Sequence, residues 1–118
     1  EYATMSDFIE VTTTVSTEEE AYKMTRSIVE NRLAACGQVI GPIASIYWWQ
    51  GSIEKGKEWL CVFKTSKDSY DHLEKAIKDL HSYKVPQILS FEIREGYKDY
   101  LKWVNSSIKV KKGKSKEV

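Results

Sequence analysis

Two cysteines, two prolines and six glycines in 118 residues leave no room for a disulfide framework, a proline-rich linker or a glycine-rich low-complexity segment. Cys36 and Cys61 also lack the close spacing of a zinc knuckle, so buried free thiols are expected. No apolar run approaches the roughly 20 residues that cross a bilayer. Residues 1–15 carry Glu1, Asp7 and Glu10 with no basic start or apolar stretch, which argues against a secretory signal and for a cytoplasmic location. Phosphate loop, HExxH, GxSxG and CxxC are all missing, and with them the common signatures of nucleotide, metalloprotease, serine-hydrolase and dithiol chemistry.

Charge of one sign is also scarce: 18 Lys and Arg face 17 Asp and Glu. That balance hides an asymmetry. Residues 109–118 hold five Lys and one Glu, a local +4 that leaves −3 for residues 1–108. So short a Lys-rich end, nearly devoid of apolar side chains, cannot repay the entropy of ordering and is expected as a disordered, solubilising tail over 109–118. Residues 1–7 are expected as a cloning remnant or disordered start, Met5 having the look of a native first residue. One domain then spans 8–108, a length suited to a single core.

Residues 8–15 are dense in β-branched and aromatic side chains and predict a first strand. Thr17 with Glu20 has the capping-box form, the hydroxyl taking a helix amide and the carboxylate reaching back to the cap. Ala21, Met24 and Ile28 then repeat at helical spacing to about Leu33. Residues 38–50 read as extended, with a bend at Gly41–Pro42. The polar stretch Gly51–Lys57 predicts a hairpin turn centred near Glu54 and Lys55, with a returning strand over 59–65. Partners in that register have numbers adding to about 110, which sets Cys61 beside Trp49 or Gln50, far from Cys36. A second helix from about Ser66 carries Tyr70, Leu73, Ile77 and Leu80 on one stripe and ends before Pro86. A strand over 87–93 and a last helix from about Tyr97, with Tyr100, Leu101, Val104 and Ile108, complete the chain.

The order βαββαβ plus one helix is the split βαβ pattern of an α+β, ferredoxin-like fold with an antiparallel sheet and both main helices on one face. The central hairpin is apolar on both alternating sets, Ile46 and Trp48 against Tyr47 and Trp49, whereas a sheet with one wet face is polar at every second residue. Only the last helix is left to cover the second face. An exposed aromatic patch of this kind predicts an oligomer.

Four segments in this order, Asn31-Arg32-Leu33-Ala34-Ala35-Cys36, Tyr47-Trp48-Trp49-Gln50-Gly51, Phe63-Lys64-Thr65 and His81-Ser82-Tyr83-Lys84-Val85-Pro86-Gln87-Ile88, resemble the CutA family of divalent-cation tolerance proteins over residues 8–108. The resemblance implies a ferredoxin-like subunit in a homotrimer joined edge to edge, related in architecture to the PII signalling proteins. It implies a non-enzymatic role in copper or other divalent-cation tolerance, with copper or zinc as the ion to consider. Where the family's metal proposal places a first-strand Cys and a His-His pair, this chain has Thr13, Leu80 and His81. His81 is therefore the one candidate metal ligand.

The resemblance implies that His81 faces a cleft between subunits, and the expected cleft residues are Tyr47, Trp49, Lys64, His81 and Tyr83: an aromatic wall and one cation able to receive a small anionic or planar molecule. His72 cannot assist His81, since nine residues at about 100° each put the two on opposite helix faces. Alternatives from other classes are a PII-like small-molecule sensor or protein scaffold that needs no metal, and an RNA-binding domain, because RNA recognition motifs share βαββαβ. The acidic body and the lack of a basic-Gly-aromatic run weigh against RNA. Acylphosphatase-like hydrolysis needs an Arg in the first loop, where Val15–Glu20 supplies three Glu instead.

Overall fold

The computed structural model describes residues 7–110. Strand β1 (Phe8–Val15) leads into helix α1 (Glu18–Glu30), then β2 (Cys36–Trp49), β3 (Ser52–Ser66), a 3-10 turn (Lys67–Ser69), α2 (Tyr70–Leu80), β4 (Ile88–Glu92) and α3 (Lys98–Ser107). The sheet order is β2-β3-β1-β4 with every pair antiparallel, the ferredoxin-like arrangement expected from the element order.

Alternation along β1 and β3 sorts their side chains by face. Ile9, Val11 and Val15 with Cys61 and Phe63 meet Ala21, Met24 and Ile28 of α1 and Leu73 and Ile77 of α2 in the main core. On the opposite face α3 covers one end only, packing Leu101, Val104 and Ile108 on Phe8 and Ala35. Farther along, Ile40 (51 %) and Phe91 (53 %) stay more than half exposed.

Thr17 caps α1 as expected, its hydroxyl accepting from Glu20 N at 3.0 Å. The second half of the box differs, because the Glu20 carboxylate turns instead to Ser82 and Ser16. The helix ends in a Schellman turn: Arg32 N–H bonds Val29 O and Leu33 N–H bonds Ile28 O, with Arg32 at φ 58° where glycine is usual.

The hairpin turn lies earlier than expected. Trp49 pairs with Ser52, and Gln50 (φ 50°) and Gly51 (φ 82°) both take the positive φ of a type I′ two-residue turn. The charged run Glu54–Glu58 is strand, its polarity reflecting an arm open to solvent rather than a change of direction. The anticipated bend is present: Gly41 and Pro42 stand opposite Trp59 alone, a bulge between the Ile40↔Leu60 and Ile43↔Glu58 pairs. The corrected register moves Cys61 opposite Val39 and Lys64 opposite Cys36. Both cysteines are free.

Of the expected tail, Lys109 and Val110 are tied to the domain: Lys109 N–H donates to Arg32 O, and Val110 O accepts from Ser66 Oγ and Ser69 Oγ. The packed chain thus passes the expected boundary at 108. Residues 111–118, and 1–6 of the expected start, lie outside the described residues.

Candidate functional site

Helix α2 ends at Leu80, and His81 turns extended (φ −81°, ψ 141°) with its N–H on Lys78 O. This swings the imidazole onto the end of β1. Nε2 lies 2.9 Å from Thr14 O and 3.2 Å from Thr13 Oγ1, while Nδ1 accepts from the Tyr83 N–H at 3.1 Å. An N–H pointing at Nδ1 and a carbonyl facing Nε2 assign a neutral ring with its proton on Nε2.

The Tyr83 ring lies against His81 with centroids 4.9 Å apart and the two planes tilted by 43°. Its hydroxyl donates to Glu58 Oε2 at 2.8 Å, and Ser45 Oγ donates to Glu58 Oε1 at 2.7 Å. Burial, then the hydrogen bond to the Glu58 carboxylate and its charge, push the Tyr83 phenol far above its ordinary range, with smaller contributions from Tyr47 and Glu20. Glu20 reaches in from α1 and accepts from Ser82 N and Ser82 Oγ, both at 3.0 Å. These bonds join the turn after α2, the start of α1 and the root of the β2–β3 hairpin.

Of the residues expected at the cleft between subunits, His81, Tyr83 and Tyr47 share this region within one chain. Trp49 stands at the hairpin tip, six residues beyond Ile43, the partner of Glu58, which is about 20 Å along the strand. Lys64 lies six residues the other way on β3, again about 20 Å off, and its ammonium binds Gln38 Oε1 at 2.7 Å near Glu10. A turn at Glu54–Lys55 would have set Lys64 opposite Ile46, beside Tyr47; the turn at Gln50–Gly51 removes that neighbour. Sequence reasoning missed Glu58, Ser45 and Glu20 as members of the site. The signal that could have found Glu58 is the Gln50-Gly51 pair itself, since a turn there makes residue 58 a strand residue at the bulge.

The donor set does not fit a divalent cation at His81. One ring nitrogen carries the proton given to Thr14 O and the other accepts from Tyr83, while Thr13 and exposed Leu80 replace sulfur and imidazole. Among the described residues no group of three or more His, Cys, Asp or Glu side chains is arranged to hold an ion. The thiols lie apart from the cleft. Cys61 is buried with its Sγ toward Ala21 O, and Cys36 meets the Tyr100 hydroxyl at 3.4 Å beside an open groove of about 580 Å³ between α1 and β2.

The fold recurs in known proteins. Residues 9–107 match the family model described as CutA1 divalent ion tolerance protein. A divalent-cation tolerance protein CutA of Thermus thermophilus is 38% identical over 94 residues, 80% of this chain and 91% of the relative. The crystal structure of CutA1 from Oryza sativa superposes with TM-score 0.86 at 33% identity, covering 91% of this chain and 98% of that one. A structure described as the periplasmic divalent cation tolerance protein CutA from Archaeoglobus fulgidus gives 0.84 at 30% identity, covering 86% and 99%. With a family match across nearly all of the folded residues and solved relatives that share the whole topology, the chain belongs to the CutA1 divalent ion tolerance family.

Proposed function

We propose that the protein serves divalent-cation tolerance as a non-enzymatic homotrimer, a scaffold or sensor whose cleft around Tyr47, Glu58 and Tyr83 receives a small molecule or a partner segment. The carrying observation is the apolar surface that one chain leaves uncovered. Trp48 (72 %), Ile46 (68 %) and Trp49 (59 %) on the hairpin join Ile40 and Phe91 of the open sheet face, more than a lone domain usually exposes. Family membership supports the role in cation tolerance. The cleft geometry favours action through assembly and ligand binding over an ion held by His81, whose nitrogens are both engaged. Two free thiols agree with a reducing, cytoplasmic setting.

Absence of catalysis is proposed on the same geometry. Cys36 and Cys61 meet Tyr100 and Ala21, and the Nε2 of His81 lies nearer the Thr14 carbonyl, at 2.9 Å, than the Thr13 hydroxyl, at 3.2 Å, while Nδ1 is taken by the Tyr83 amide, which leaves no free base beside that hydroxyl. RNA binding finds no support on the two central strands. Their face away from α1 and α2 carries Phe8, Glu10, Thr12 and Thr14 beside Leu60, Val62 and Lys64, and its one ring, Phe8, is buried under α3 where no base can stack on it.

Sedimentation should give about three times 13.6 kDa, and a stable monomer would overturn the assembly. Titrating the metal-stripped protein with Cu(II), Cu(I) and Zn(II) should show no saturable heat that depends on His81. Stoichiometric binding lost in His81→Ala with the oligomer intact would restore copper or zinc as the direct ligand. A metabolite screen should find thermal shifts that survive chelation.

A further inference from the structure

The bulge at Gly41–Pro42 is where the hairpin leaves the body of the sheet, and Glu58 is the first β3 residue paired beyond it. A bulge interrupts the ladder and leaves the direction of the following arm only partly set by backbone hydrogen bonds. Four hydrogen bonds gather beside this point. Tyr83 reaches Glu58 on β3, Ser45 of β2 closes on the same carboxylate, and His81 holds the Tyr83 backbone N–H while its other nitrogen is seated on Thr14 of β1. The half-buried Glu58 carboxylate needs such donors to offset its desolvation, and it receives one on each oxygen. His81 is the only member of the set that touches both β1 and the turn.

We infer that His81 is a positioning residue rather than a cation ligand: as a neutral ring protonated on Nε2 it clasps the turn after α2 to the end of β1, and through Tyr83 it fixes Glu58 at the root of the hairpin arm. The inference concerns the cleft of the function proposed above but stands on contacts within one chain. A monomer in sedimentation would therefore sink that proposal and leave this one untouched.

The test uses the full-length protein, metal-stripped and ¹⁵N-labelled, at pH 8, with His81 told apart from exposed His72 by His72→Gln. His81 should show a protonated Nε2 and a bare Nδ1, unchanged when Zn(II) is added in excess. A proton on Nδ1, or zinc-dependent movement of the His81 nitrogens, would overturn the inference. Amide exchange gives a second readout. His81→Ala should speed exchange at Tyr83 N–H about tenfold, the scale of one lost hydrogen bond. His81→Asn, whose Oδ1 takes the place of Nδ1, should restore slow exchange, and His81→Gln should not. Equal exchange in all four proteins would also overturn it. If the variants fail to fold, the spectrum of the native protein decides alone.

Discussion

Glu20 and Ser82 are joined twice across 62 residues of chain, the carboxylate accepting from both the backbone N–H and the hydroxyl of Ser82 at 3.0 Å. One charged group thus sits at the first turn of α1, where the helix dipole favours it, and also anchors the turn after α2. Glu20→Ala is expected to cost about 1.5 kcal/mol in urea unfolding, the range for hydrogen bonds to a charged acceptor. A double-mutant cycle with Ser82→Ala should return a coupling of about 1 kcal/mol. Strictly additive losses would show that the crossing bonds contribute nothing.

Arg32 occupies the left-handed region (φ 58°), a placement that costs a non-glycine residue about 1 kcal/mol. Its side chain returns something: Nη1 donates to Ser107 O at the end of α3, while its own carbonyl accepts from Lys109. Arg32→Ala keeps the strain and loses the bond, so it should lower stability by about 1 kcal/mol. Arg32→Gly trades one for the other and should lie within about 0.5 kcal/mol of the native chain. An Ala variant as stable as the Gly variant would contradict this balance.

Gly37 has no room for a methyl group. An added Cβ would fall on Thr25 Cγ2 and come within 3.1 Å of the buried Phe63 ring. Gly37→Ala should therefore cost about 1–3 kcal/mol, the usual range for overpacking. Gly56, on the hairpin arm, meets only the Tyr47 hydroxyl at 3.9 Å. Gly56→Ala should be neutral or stabilising by up to about 1 kcal/mol. Similar melting temperatures for the two variants would refute the contrast.

Alkaline pH should unfold the protein through groups that folding keeps protonated. Burial pushes the Cys61 thiol up, against the Thr25 hydroxyl and with some help from Glu20. Burial and Glu58 raise Tyr83, and burial followed by the Cys36 contact pushes Tyr100 up to about 12. A raised value in the folded chain means that the unfolded chain loses its proton first. The stabilisation is complete below the ordinary thiol and phenol values of about 8.5 and 10, and it falls as pH climbs through the folded ones. Denaturation midpoints should decline above about pH 9, less steeply in Tyr83→Phe. A midpoint that rises over this interval would reverse the sign.

Where local pattern dictates local structure, the sequence was legible. The Thr17 cap, the 3.6-residue stripes of α1 and α2 and the β-branched run of β1 each name their own element, and the order of elements leaves few topologies open. The site was legible only in part. His81 and Tyr83 stand out from the sequence because a helix must end before Pro86, but Glu58 looks like one more charge in a polar run. Lys64 looks like a neighbour of Tyr47 only while the turn is placed four residues late. A hairpin arm open to solvent has no buried face to mark its register, so polarity imitates a turn there.

The elements, their order and the family are readable from the residues, because hydrophobic period, capping chemistry and motif spacing act over short stretches of chain. The pairing register of the hairpin, the capture of Glu20 by Ser82 and the use of both nitrogens of His81 on β1 and Tyr83 emerge only in the folded chain. Each of these joins groups far apart in the chain, and the hydrogen bonds that select among their partners exist only once the sheet has brought them within about 3 Å.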